Sequence, residues 1–117
     1  MKTIRINRAK WLRGNGDDQF SMTYLWCPDR KVGCCLGHAI HQTTKCSWKD
    51  LARKWLPTMY YDKPSFLTQS VNDSLVCNAF ADKAMKINDK HDISEASREK
   101  RLIKLFAEYN IKLEFYN

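Results

Sequence analysis

The last residues, Ile111-Lys112-Leu113-Glu114-Phe115-Tyr116, alternate apolar with polar positions and predict a terminal strand. The stretch before it changes period. Leu102, Ile103, Phe106 and Tyr109 share one face of a helix over about residues 94–109, with Asn110 suited to the left-handed residue that ends it. Asp92-Ile93-Ser94-Glu95 predicts a capped start in which Glu95 reaches back. Leu75, Val76, Ala79, Phe80, Ala84 and Ile87 form another helical stripe, capped by Asn72 or Asp73 and closed by Asn88-Asp89-Lys90. Leu36, Ala39 and Ile40 mark a short buried helix over 35–41, and the small residues at 33–37 let it approach its neighbours closely. Ser47 as N-cap with Asp50 three residues on starts a further helix, which is expected to run through Trp55 and stop at Pro57.

Asn7 is placed to cap a helical turn reaching Trp11-Leu12, and residues 13–18, with two glycines and three Asn/Asp residues, read as a loop. Residues 21–26 and 32–34 read as the two arms of a β-hairpin turning at Pro28-Asp29-Arg30-Lys31. The C-terminal strand is expected to pair with this hairpin, because a lone strand leaves its backbone polar groups unsatisfied. The fold class is therefore α+β: a small antiparallel sheet (hairpin plus C-terminal strand) covered by three or four helices, in a single domain over residues 1–117. The expected core comprises Trp11, Leu25, Leu36, Ile40, Leu51, Val76, Phe80, Leu102, Phe106, Leu113 and Phe115.

A chain of 117 residues buries enough surface to stand without metal or disulfide support, and 44% hydrophobic with 28% charged residues is a globular mixture. There is no apolar run of ~18 residues to span a membrane. The basic start, Lys2 to Arg8, has no apolar h-region behind it, so a cytosolic location is expected. Five cysteines, an odd count with Cys34 and Cys35 adjacent, fit free thiols at Cys27, Cys34, Cys35, Cys46 and Cys77.

The net charge is +7, and its excess is one-sided: residues 1–55 hold eleven Lys/Arg and four Asp, whereas residues 56–117 hold nine of each sign. Such asymmetry favours an acidic partner. On the helix expected at 45–54, Lys45, Lys49 and Arg53 fall four apart with Lys54 beside them, close to Trp48 and Trp55. Basic and aromatic residues together suit phosphates and stacked bases. The spacing of Trp48, Leu51 and Trp55 equally makes a core face, with the charges solvated opposite. Lys83, Lys86, Lys90, Arg98, Lys100, Arg101 and Lys104 lie among acidic residues and read as solvated helix faces. Cys27, Cys34, Cys35, His38, His41 and Cys46 are six zinc-compatible side chains within twenty residues, but they lack a paired CxxC knuckle. They also fit a core role, so no metal, cofactor or catalytic residue is assigned. The Arg13-Gly14-Asn15-Gly16 segment has no preceding strand and does not read as a dinucleotide fingerprint.

Five spaced pieces resemble a group of small uncharacterised bacteriophage accessory proteins: Trp11-Leu12-Arg13-Gly14, Cys34-Cys35-Leu36-Gly37, Ile87-Asn88-Asp89, Arg98-Glu99 with Leu105-Phe106, and Ile111 through Phe115. Those proteins commonly carry Gly-Lys-Met before the double cysteine and Gly-Phe after the leucine. This chain has Lys31-Val32-Gly33 and Gly37-His38, which sets His38 and His41 apart from the shared pattern. The resemblance implies a phage protein in the host bacterial cytoplasm that binds a host protein or nucleoprotein complex and inhibits a defence system (anti-CRISPR-like or anti-defence) or a nucleic-acid enzyme. Lys45, Trp48, Lys49, Arg53, Lys54, Trp55, Tyr60 and Tyr61 are the expected partner-binding residues. The alternatives are direct nucleic-acid binding through the basic 45–54 helix and a zinc- or thiol-dependent enzyme around Cys34, Cys35, His38 and His41.

Overall fold

Ile4 and Ile6 alternate with Thr3, Arg5 and Asn7, and Ile111 and Leu113 alternate with Lys112 and Glu114, so each segment offers one apolar face. In the structure, a computed structural model describing residues 2–13, 25–43, 47–52, 80, 83–90 and 92–117, these segments are strands β1 (Lys2–Asn7) and β2 (Ile111–Tyr116). They pair in parallel, with Lys2 opposite Ile111 and Asn7 opposite Tyr116. Ile4, Ile6, Ile111 and Leu113 are all buried, and Thr3, Arg5 and Lys112 are exposed.

The sheet among the described residues is this parallel pair, not the antiparallel one expected from the sequence. Only the turn and one antiparallel bridge, Cys27 to Val32, survive of the hairpin among the described residues. Its second arm bonds elsewhere: the Leu12 amide donates to the Gly33 carbonyl (2.8 Å) and the Gly33 amide to the Lys10 carbonyl (3.0 Å). The terminal strand pairs instead with β1, a strand that has no counterpart among the expected elements. Its outer side is held by Gln42, whose Oε1 accepts from the Arg5 amide (2.9 Å) and whose Nε2 donates to the Arg5 carbonyl (2.6 Å).

Asn7 caps a single 3-10 turn, Arg8–Lys10, as its position suggests, accepting from the Ala9 amide at 3.0 Å. Helix α1 (Cys35–Thr43) buries Cys35 through Ile40. Gly37 lets it lie directly on the Leu25 backbone, since a Cβ there would sit 2.7 Å from the Leu25 carbonyl carbon. Helix α2 (Trp48–Leu51) starts at the expected Ser47 cap, and Asp50 closes a capping box with it: Ser47 accepts from the Asp50 amide and Asp50 from the Ser47 amide. It ends much sooner than expected, because Ala52 turns extended (ψ 128°) and its backbone bridges to Trp26. Of the residues expected on one basic helical face, Lys49 falls on α2, and Lys45 and Arg53 lie outside the described residues.

Helix α3 (83–89) ends at Asp89 as expected, with Ala84 buried and Ile87 half-buried. Helix α4 (Glu95–Glu108) is capped by Ser94, which accepts from the Ser97 amide. Glu95 is thus the first helical residue rather than the one that reaches back. The buried face of α4 is Arg98, Leu102, Leu105 and Phe106; Ile103, expected inside, is 41% exposed. Tyr109 caps the helix and Asn110 adopts the expected left-handed conformation (φ 62°), turning the chain directly into β2. Phe80 packs edge-on against Phe106, at 5.2 Å between ring centres, and joins the core. The expected core residues are buried wherever they are described, apart from Phe115, which is half-buried, and Val76 lies outside the described residues.

One buried amide ties these elements together. Asn88 Oδ1 accepts from the Trp11 indole N–H (2.8 Å) and from the Cys35 amide (3.1 Å), the latter an otherwise orphaned donor at the start of α1. Its Nδ2 donates to the Leu12 carbonyl and to Asp89 Oδ1, both at 3.0 Å. The Ile87 and Asn88 carbonyls, at the end of α3, each accept from Arg98 Nη1 at 2.9 Å. Residues 11–12, 35, 87–89 and 98, drawn from four of the five pieces that carry the phage resemblance, thus meet at this point.

Replacing Asn88 with Ala leaves the Trp11 indole, the Cys35 amide and the Leu12 carbonyl without their buried partner. The expected cost is about 3–5 kcal/mol, read from the urea midpoint. Trp11→Ala at the same hub would open a cavity; the informative comparison is Asn88→Asp, which keeps the two acceptances but cannot donate to Leu12 and sets a second carboxylate beside Asp89. It should be destabilised almost as strongly as Asn88→Ala, and a near-wild-type midpoint for either variant would remove Asn88 from its central place.

Candidate functional site

The cysteine–histidine cluster is drawn into packing. Cys34 and Cys35 are fully buried cysteines outside any disulfide. Burial holds the Cys35 thiol well above the usual range, and the neighbouring Cys34 and Asp89 push the same way, so it stays protonated and unreactive. His38 is buried with its Nε2 2.9 Å from the Lys10 carbonyl, which places the ring proton on that nitrogen. Desolvation lowers its pKa below 6.5. Among the described residues, no three His, Cys, Asp or Glu side chains come together in a metal-holding arrangement; Cys46 lies outside those residues.

Trp48 is likewise engaged internally. Its ring stacks on Trp26 (4.1 Å, 25°) and on His41 (4.1 Å, 21°), and His38 meets it edge-on at 5.1 Å. These contacts lock α2 onto α1 and onto the chain entering the 28–31 turn, so Trp48 acts first as a packing residue. Lys49 is exposed on α2. The other expected partner-binding residues, Lys45, Arg53, Lys54, Trp55, Tyr60 and Tyr61, lie outside the described residues.

A site that the sequence reading did not assemble lies on the other side of the Asn88 hub. It is a cleft of about 430 Å³, within the usual size of ligand sites. Trp11, Leu12 and Arg13 form one wall, Arg30 of the 28–31 turn another, and Ile93, Glu95 and Arg98 at the start of α4 the third. The lining therefore holds three arginines and one carboxylate, of which Arg13 and Arg98 contact that carboxylate directly. Arg13 Nε pairs with Glu95 Oε2, while Arg98 Nε lies 3.4 Å from Glu95 Oε1. Arg13 is fixed further: its Nη1 donates to the Trp11 (2.7 Å) and Arg8 (3.1 Å) carbonyls, and its guanidinium carbon lies 4.4 Å over the Trp11 ring. Arg8 in turn grips Glu99 through two parallel bonds of 2.7 and 2.8 Å, anchoring the 8–13 segment to α4.

Arg98 was expected on a solvated helix face, yet its side chain is 1% exposed. The reason is its position four residues before Leu102 and eight before Phe106, on the stripe that α4 buries. Its charge is tolerated there because two α3 carbonyls and Glu95 surround it. A charged residue in phase with a helix's apolar stripe was the signal available in the sequence.

Two outcomes follow from these environments. In native protein, iodoacetamide is expected to leave Cys34 and Cys35 unmodified, both becoming labelled in urea, as peptide mass spectrometry will read. For His38, the unfolded chain takes up a proton that the native state resists, so stability is full above about pH 6.5 and declines as pH falls below it. Urea midpoints at pH 7.5 and 5.5 should therefore differ more for the wild type than for His38→Gln, which keeps a donor for Lys10.

No family model, curated protein or solved structure matches the chain.

Proposed function

We propose that this is a bacteriophage accessory protein that acts by binding in the host bacterial cytoplasm, inhibiting a defence system or a nucleic-acid enzyme by covering a surface that enzyme needs. The observation that carries this reading is the division of its reactive groups. The thiols of Cys34 and Cys35 and the imidazole of His38 are sealed into packing, whereas Arg13 and Arg30 line an open cleft that buried Arg98 backs. A cleft lined by guanidinium groups is suited to recognition, and Arg is among the residues that supply most binding hot spots. The excess positive charge of the first half of the chain favours an acidic partner. An interface of ordinary size, about 800 Å² per partner, is within reach of a protein this small.

The nucleic-acid alternative rested on one continuous basic helix, and α2 spans only Trp48–Leu51. The zinc- or thiol-enzyme alternative loses the accessible thiolate it requires at Cys35.

Affinity capture from host lysate, with and without nuclease, tests the proposal. A host protein recovered at near-equal molar amount in both conditions is the expected result. Recovery that vanishes on nuclease treatment would shift the function to nucleic-acid binding, and no recovery at all would overturn it.

A further inference from the structure

We propose that the cleft between residues 11–13, the 28–31 turn and the first turn of α4 is a socket for an acidic side chain, Asp or Glu, on the partner protein. The inference rests on the binding role above and names the chemistry of the contact.

Its donors are already in place. Arg98 is held with 1% exposure and spends Nε and Nη1 on Glu95 and the α3 carbonyls. Arg13 spends Nε and Nη1 in the same manner. Among the described residues, Nη2 of neither arginine makes a hydrogen bond, and Arg30 makes no ion pair or hydrogen bond. Each guanidinium carries five N–H groups, so the donors open to the cleft are those of exposed Arg30 and of Arg13 Nη2, with buried Arg98 adding its charge behind them. Fixing two of the three groups beforehand removes much of the ordering cost of binding.

Carboxylate fits the site better than a phosphodiester backbone. Glu95 spans Arg13 and Arg98, showing that the spacing of these two guanidinium groups accommodates a carboxylate. The Glu95 side chain is 47% exposed, so an incoming carboxylate can join it on the Arg30 side. Leu12 and Ile93 give the walls apolar surface for a methylene stem. A nucleic-acid strand, by contrast, brings a row of charges that needs a row of cations, whereas this site is one recessed cluster that already contains a negative charge.

The test uses the full chain titrated by NMR, at fixed ionic strength, with a hexaglutamate peptide, a hexaglutamine peptide, inorganic phosphate and an oligothymidylate. Arg30→Glu removes the exposed, unpaired member of the cluster, and Lys104→Glu makes the same charge change on an exposed position of α4. The urea midpoint of each variant reports whether its fold is intact. The expected result is hexaglutamate binding with shifts centred on residues 11–13, 30 and 93–98, weakened about tenfold or more by Arg30→Glu and less than twofold by Lys104→Glu. Absent hexaglutamate binding, equal weakening by both variants, or tighter binding of phosphate or the oligonucleotide would each overturn the socket. The capture experiment separates the two levels. Wild type recovering no host protein sinks the binding role, whereas Arg30→Glu recovering the same protein as well as wild type does sinks the socket alone.

Discussion

The Asn88 side chain is the constraint on which the remaining structure depends. Its amide uses both lone pairs and both N–H groups on partners from three separate stretches of chain: the Trp11-Leu12 segment, the first residue of α1, and the end of α3. In a medium of low polarity, an unmet amide at 0% exposure would be costly, so these stretches have little freedom to shift independently. Trp11, fixed at its indole nitrogen, packs against Phe115 of β2 at 4.5 Å and carries Arg13 over its ring. Arg98 closes the carbonyl end of α3. The arginines of the cleft are therefore positioned by the same network that organises the core.

Helix ends were legible where a local cap specified them. Ser47 with Asp50 and Asn110 with its left-handed turn are local signals, and each appears where the residues place it. The sheet was not legible for a related reason. Ile4 and Ile6 are only two apolar positions amid basic residues, too short a pattern to announce a strand, and its partner lies at the far end of the chain. Pairing partners are set by tertiary packing, and the hairpin's second arm was claimed by residues 10–12. The early end of α2 is of the same kind: the capping box specifies a beginning, while the backbone bridge between Trp26 and Ala52 draws the chain out of the helix.

The cleft was the least legible part. Arg13 follows a turn, Arg30 occupies a turn and Arg98 belongs to a helix, and their convergence is a product of the fold. Only Arg98 left a trace, in its phase with Leu102 and Phe106. The aromatic residues gave the opposite lesson. Trp48 looked like an anchor for a partner because its neighbours are basic, but its ring is stacked between Trp26 and His41. A tryptophan next to lysines is ambiguous until both faces of the ring are accounted for.

The parallel pairing of β1 with β2 has a consequence for the order of events during synthesis. Lys2 and Ile111 are 109 positions apart, so at ribosomal speeds of roughly 5–20 residues per second the first strand waits roughly 5–20 s for the second to be made. Throughout that interval Ile4 and Ile6 lack the neighbour that completes their cover, and the Arg5 backbone has Gln42 as a much earlier companion. A side-chain amide arriving with α1 can thus occupy an open strand edge while the chain is still growing, at the position where another nascent chain would otherwise attach.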